Sequence, residues 1–143
     1  MKYKVVKQGD LEDILKIENE CFLEPWDKDA FMYDIENKNP LFIKLVDDDN
    51  NMIGYYDAWT AVDDADIGSI AIRKKYQGKG YGERLLKNLL TRCKKQGVKT
   101  VHLEVRIDNT KAKNLYEKLG FTKTRIRKGY YNGVDAIEMM KGL

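Results

Sequence analysis

Three glycines within Gln77-Gly78-Lys79-Gly80-Tyr81-Gly82 constrain this chain more than any other stretch. Glycine takes left-handed backbone angles without a Cβ clash, so the spacing allows a tight curl whose successive N–H groups point into one concavity. A helix is predicted directly behind it. Leu85, Leu86, Leu89, Leu90 and Cys93 recur at helical spacing, and Gly97 follows them where a helix ends. Ahead of the glycines, Asp66-Ile-Gly-Ser-Ile-Ala-Ile72 reads as a short buried strand. The unit is strand, glycine turn, helix. Its amides and the partial positive charge of the helix N-terminus make a receptacle for phosphate oxygens. The plainer alternative is a chain reversal in which the glycines do nothing else.

Two common nucleotide motifs do not fit the loop. A P-loop needs G-x-x-x-x-G-K-[ST], but Lys79 is followed by Gly80, so no hydroxyl is placed for magnesium. A dinucleotide fingerprint needs G-x-G-x-x-G, and its third glycine position falls on Glu83.

With 143 residues and 43% apolar content, the sequence describes one globular domain over 1–143 with no linker or repeat. No apolar run is long enough for a membrane span and no signal-peptide core opens the chain, so the expected compartment is cytoplasmic. Cys21 and Cys93 sit at apolar helical positions without metal-ligand spacing, so no metal site is expected. Net charge is +3, unevenly spread: residues 73–99 hold ten Lys or Arg and one acid, a local +9, which leaves −6 elsewhere. That basic segment suits a ligand with several phosphates; it lacks the interleaved aromatics of a nucleic-acid surface. Residues 47–66 hold seven Asp and no Lys or Arg, a stretch expected to attract a cationic substrate through Asp63, Asp64 and Asp66.

The remaining elements follow from period and punctuation. Residues 3–7 read as a strand, and Asp10 is expected to cap a helix bearing Leu11, Ile14, Leu15, Ile17 and Cys21. Phe22-Leu-Glu-Pro-Trp26 breaks that helix, since proline disfavours helix at the residue before it, and Asp27 is expected to cap a second helix from Lys28 to Asn37. Strands are predicted at 41–46, 52–60 and 65–72. Beyond the central helix, Thr100–Val105 alternates: Val101, Leu103 and Val105 on one face, His102, Glu104 and Arg106 on the other. Asp108 or Asn109 can cap a helix whose apolar face is Ala112, Leu115, Tyr116 and Leu119. Strands at 121–127 and 134–140 are joined through Gly129-Tyr-Tyr-Asn-Gly133. The order is β-α-α-β-β-β-α-β-α-β-β, an α/β fold with a mixed sheet and helices on its faces.

Read by residue type alone, Glu104 is a polar-face carboxylate, open to general-base work or to a surface ion pair with Arg106 nearby. Tyr116, on an apolar helix face, reads as core. His102, the only histidine, is an outside alternative to Glu104.

The loop fits Q/R-x-x-G-x-G/A through Gln77, Gly80 and Gly82, the acetyl-coenzyme A pyrophosphate motif of the GCN5-related N-acetyltransferases (GNAT). With Leu103-Glu-Val-Arg-x-x-Asn109 and Leu115-Tyr-Glu-Lys-Leu-Gly-Phe121, the chain resembles that family over essentially its whole length. Pro25-Trp26, Leu-Glu-Val-Arg and Arg127-Lys-Gly-Tyr-Tyr131 resemble its bacterial ribosomal-protein-alanine N-acetyltransferase subgroup. The resemblance implies direct acetyl transfer from acetyl-CoA to a protein N-terminal α-amine, with a small-subunit ribosomal protein as one candidate. A small amine, a polyamine, a lysine side chain, or coenzyme A binding without turnover are the alternatives. Backbone groups of Gln77, Gly78, Lys79, Gly80, Tyr81 and Gly82 are implied to hold the pyrophosphate. Those of Ile70, Ala71 and Ile72 are implied to line the pantetheine arm, where two strands splay in this family. Asn109 is carried over as a coenzyme A contact by motif, Glu104 as general base, and Tyr116 as general acid toward the thiolate. Trp26, Tyr33, Tyr130 and Tyr131 are expected around the acceptor, with Tyr130 and Tyr131 in a turn. The partners implied are acetyl-CoA and a protein N-terminus, with neither nucleic acid nor membrane.

Overall fold

The computed structural model describes all residues 1–143. Its elements are β1 (Lys2–Val5), α1 (Leu11–Cys21), α2 (Lys28–Glu36), β2 (Phe42–Val46), β3 (Met52–Ala61), β4 (Asp64–Ile72), α3 (Tyr81–Lys95), β5 (Thr100–Arg106), α4 (Thr110–Lys118), β6 (Thr122–Tyr131) and β7 (Val134–Gly142). Single 3₁₀ turns at Gln8–Asp10 and Lys74–Tyr76 precede α1 and follow β4. The order expected from sequence is therefore present. The seven strands form one sheet in the order β1-β2-β3-β4-β5-β7-β6. Parallel pairing occurs between β4 and β5, over Asp64–Asp66 against Thr100–His102.

Backbone contacts divide the chain into two compact units: Met1–Trp59 with Gly68–Leu89, and Thr60–Ile67 with Leu90–Leu143. In the first, Val6, Leu11, Ile14, Ile17, Phe31, Phe42, Met52, Tyr55 and Ala71 form a core cluster. The helical spacing of α1 places Leu11, Ile14 and Ile17 on that core face. Phe31 packs on Phe42 and meets Tyr55 edge-on, with ring centroids 5.7 and 6.0 Å apart. In the second unit, the alternation of β5 buries Val101, Leu103 and Val105 and leaves His102, Glu104 and Arg106 half-buried. β6 is largely exposed and carries Lys123, Arg125, Arg127 and Lys128, charges that discourage edge-to-edge pairing.

Two local expectations change. Asp10 does not cap α1: the chain enters that helix through the 3₁₀ turn, and the Asp10 carboxylate accepts from the Lys7 N–H at 2.9 Å and from Lys44 Nζ at 2.7 Å. Asp27 does cap α2, accepting from the Ala30 N–H at 3.0 Å. Tyr130 and Tyr131 lie on β6, not in a turn, because the reversal is made by Asn132-Gly133 alone. Their φ angles of 49° and 95° are those of a type I′ hairpin, which needs two left-handed residues. A register shift between Arg127 and Tyr131 absorbs the extra residues, with Gly129 at φ 63°.

Asp57 is an exception within the acidic stretch: it is completely buried on β3. Asn39 Nδ2 donates to its Oδ1 at 3.0 Å, whereas Oδ2 finds no donor. Burial, and then the neighbouring Asp34 carboxyl, push its pKa up to about 9. A proton on Oδ2 resolves the orphan, since a neutral carboxyl donates toward Asp34 instead of repelling it. The folded pKa lies above the unfolded value, so this stabilisation is complete below about pH 4 and is lost as pH rises through about 9. Asp57→Asn, permanently neutral, is expected to melt with a shallower pH dependence. Melting temperatures measured between pH 5 and 9 should show the variant gaining on the wild type as pH rises; parallel curves would refute a protonated Asp57.

Candidate functional site

The donor cradle is built within the first unit. β4 ends at Ile72, and the 3₁₀ turn Lys74–Tyr76 reverses the chain into the glycines. Gly78 and Gly80 have φ 77° and 85°, and a Cβ on either would meet nothing within 4 Å. These two glycines are therefore required by backbone conformation, not by crowding. The Arg84 N–H bonds to the Gly80 carbonyl at 3.2 Å as α3 begins, leaving the preceding amides at the helix N-terminus. Lys75 and Lys79 ammonium groups lie 5.2 and 5.9 Å from the Tyr76 ring centroid, so cations cluster beside the turn. The Gln77 side chain points back to the strand: its Nε2 donates to the Ile72 carbonyl at 2.9 Å, a carbonyl that also accepts from Cys21 Sγ at 3.2 Å. Gln77 thus pins the loop to the end of β4, leaving its backbone for a ligand.

Strand β4 is held from the other side by a residue that sequence reading passed over. Glu18 on α1 is 1% exposed. Its Oε1 accepts from the Tyr55 hydroxyl and from Ser69 Oγ at 2.7 Å, and its Oε2 from the Trp26 N–H at 2.9 Å. Ser69 directly precedes Ile70, Ala71 and Ile72. A carboxylate can be buried when donors replace its water, and here three elements supply them. The Trp26 and Trp59 rings meet at 5.6 Å and both press on Gly68, where a Cβ would stand 2.4 Å from each. Trp26 is half-buried and Tyr33 is exposed. The available signal for Glu18 was a charge at i+4 from Ile14, inside the apolar stripe of α1.

The reactive groups proposed from sequence lie in the second unit. Glu104 Oε1 accepts from Arg127 Nη1 at 2.6 Å, so its cation is Arg127 on β6 and not Arg106. Arg106 instead forms a two-point pair with Asp108 at 3.0 Å on each arm. Glu104 stands opposite Glu138 on β7, and Arg125 binds Glu138 at 2.5 and 3.2 Å. Tyr116 is buried on α4 with its ring 5.7 Å from Phe121. Burial raises its phenol further above the ordinary tyrosine range, so it stays protonated throughout the working pH range. Asn109 caps α4: its Oδ1 accepts from the Ala112 N–H at 3.2 Å, which leaves the side-chain amide nitrogen for another acceptor. His102 Nε2 lies 3.1 Å from Asp64, and Asp63 pairs with Lys99 at 3.9 Å. Two acids of the expected cation-attracting stretch are therefore already partnered, and a third, Asp57, is buried.

Both thiols are poor nucleophiles. Burial pushes Cys21 and Cys93 up to about 11, so each is a neutral thiol near pH 7. No group of three His, Cys, Asp or Glu is placed to hold a metal ion.

A seven-stranded sheet in this order, with a glycine cradle between β4 and α3, defines a class: acyl-coenzyme A-dependent N-acyltransferases. The model of the Acetyltransferase (GNAT) family matches residues 11–121, and the chain belongs to that family. It is 39% identical over 126 residues to the [ribosomal protein bS18]-alanine N-acetyltransferase of Haemophilus influenzae, covering 88% of this chain and 84% of that one. The crystal structure of the ribosomal-protein-S18-alanine N-acetyltransferase from Escherichia coli superposes with a TM-score of 0.87 at 31% identity, covering 99% of this chain and 92% of that one. A chimera of the spermidine N-acetyltransferase from Vibrio cholerae and hSSAT reaches a TM-score of 0.86 at 21% identity, covering 99% of this chain and 94% of that one. Backbone shape alone therefore does not choose between a protein and a polyamine acceptor.

Two variants check the cradle and its support. Gly80→Ala places a Cβ on a left-handed residue, costing about 1–2 kcal/mol, and should raise KM for acetyl-CoA while acceptor KM is unchanged. Glu18→Gln returns a donor where three donors already converge, and should lower unfolding free energy by about 1–3 kcal/mol in urea melts. A wild-type melt for Glu18→Gln would remove it from the framework.

Proposed function

We propose that the whole chain acts as one acetyltransferase domain, moving acetyl directly from acetyl-CoA to the α-amine of a protein N-terminus, of the ribosomal-protein-alanine type. The observation that carries this reading is identity above 30% across nearly the full length to proteins named for that reaction, with the cradle and the Glu104 and Tyr116 positions present.

The Gln77 N–H is taken by the Lys74 carbonyl at 3.1 Å, so the backbone N–H groups from Gly78 to Gly82 hold the pyrophosphate, helped by the positive end of α3 and by Lys75 and Lys79. Backbone groups of Ile70, Ala71 and Ile72 line the pantetheine arm. The Asn109 amide nitrogen is left for a coenzyme A contact. An α-amine has a pKa of about 7.7–8.0 against about 10.4 for lysine, so Glu104 can take its proton at neutral pH directly or through one water. The free amine attacks the thioester carbonyl, the C–S bond breaks, and the departing thiolate receives a proton from the Tyr116 hydroxyl; the second proton shed by the new amide nitrogen restores the phenol, and Glu104 returns its proton to water. The resulting preference for weakly basic amines favours N-termini over lysine or polyamine acceptors, and the site is expected to work in the cytoplasm, where such acceptors are made.

The reading is tested by thiol release from acetyl-CoA with a panel of N-terminal peptides, lysine peptides and polyamines. Turnover should be greatest with peptides beginning in alanine, above all that of a small-subunit ribosomal protein; preference for spermidine would overturn it. Glu104→Gln and Tyr116→Phe should each lower kcat by about 10²–10⁴-fold while acetyl-CoA binding survives. A near-normal kcat for Tyr116→Phe would return that residue to the core.

A further inference from the structure

Glu104 does not stand open, as a base waiting for an ammonium would. Its Oε1 is 2.6 Å from Arg127 Nη1, and the same guanidinium lies 4.4 Å from the Tyr130 ring centroid and 3.8 Å from Glu138 Oε1. Glu104 and Glu138 are in-register partners across β5 and β7, so two carboxylates and one aromatic face surround one guanidinium. The neighbouring Arg125 is already committed to Glu138. The contact raises Arg127 above its ordinary range, chiefly through the hydrogen bond to Glu104. Glu138 is held below the usual carboxylate range by Arg125 first. The Arg127 and Glu104 side chains are 39% and 26% exposed, so the pair can exchange partners with solvent or substrate without unfolding the sheet.

Taking Glu104 as the base, as in the proposed function, we infer that Arg127 is a positioning residue occupying the acceptor's cation site at Glu104, and that acceptor binding exchanges one cation for another. The incoming ammonium takes the Glu104 carboxylate, and the released guanidinium settles toward Glu138 and the Tyr130 face, both already within reach. Before the exchange Arg127 is the counter-ion that Glu104 touches beside a second carboxylate. After it, Glu104 is free to accept the ammonium proton. The geometry thus makes the base available only when a cationic acceptor has displaced its resident counter-ion. Glu138 is the like charge across the strand pair, whereas Arg127 and Arg125 on β6 and His102 and Arg106 along β5 supply the nearby positive or ionisable groups.

Arg127→Gln and Arg127→Lys test this, with melting curves and acetyl-CoA KM as controls for folding and donor binding. Without the resident cation, Arg127→Gln should lower acceptor KM about two- to fivefold. The acid limb of its kcat/KM profile should move upward by on the order of half a pH unit, because Glu104 protonates more readily beside Glu138. Arg127→Lys should restore both toward wild type. A raised acceptor KM, or an acid limb that stays in place, would overturn the exchange and leave Arg127 a structural residue. A ¹³C-carboxyl titration of Glu104 in wild type and Arg127→Gln reads the counter-ion relation without turnover. An upward-moved midpoint supports it and coincident midpoints refute it, even if the peptide panel rejects the proposed acceptor.

Discussion

The buried carboxylate of Glu18 is the interaction on which the first unit depends. A lone carboxylate taken from water into an apolar core is strongly disfavoured, so its site must supply what water gave. Glu18 recovers this from Trp26, Tyr55 and Ser69, which lie on the α1–α2 connection, β3 and β4. Each of these donors is in turn committed to Glu18. Pro25 removes one backbone donor from the connection, and the Trp26 N–H immediately after it is the group that ties the chain down. The Trp26 ring then lies over Gly68, one residue before Ser69. Polar and apolar constraints converge on the same two residues of β4, immediately before the backbone assigned to the pantetheine arm. Positioning of that kind suits chemistry in which misplacement by an ångström is costly.

What could be read from the sequence was local. Period and punctuation located the four helices and seven strands, because the apolar stripes of α1, α3 and α4 and the alternation of β5 are determined within one element. The glycine cradle was legible for the same reason: Gly78 and Gly80 need left-handed angles whatever surrounds them. Boundaries moved where two signals competed. Gly129 and Gly133 suggested a five-residue connection, but Asn132-Gly133 is itself a complete hairpin turn, and the bulge around Gly129 lets β6 continue to Tyr131.

The partners of charged side chains were not legible, because they come from elsewhere in the chain. Arg106, two residues from Glu104 and on the same strand face, was the natural partner by proximity, yet Asp108 takes it. Arg127, 23 positions away, takes Glu104 because β5, β7 and β6 lie side by side. Glu18 and Asp57 each carried a local warning, a charge inside an otherwise apolar register. Nothing local could say whether hydrogen-bond donors or a proton would compensate the charge.

Three carboxylates are handled here by three different physical means, and the differences bear on chemistry. Glu18 is fully buried and surrounded by donors on three elements; it cannot change partner without breaking the framework. Asp57 is fully buried with one orphaned oxygen and is neutralised by a proton, which makes it a term in pH stability and a poor base at neutral pH. Glu104 is half-buried and bound through one oxygen to a single guanidinium that has a second carboxylate and an aromatic face within reach. Of the three, Glu104 alone combines negative charge, solvent access and an exchangeable partner. A general base must have all three: charge to take the proton, access to meet the amine, and a counter-ion it can surrender. The burial and bonding of these three carboxylates are therefore in keeping with the base role proposed for Glu104.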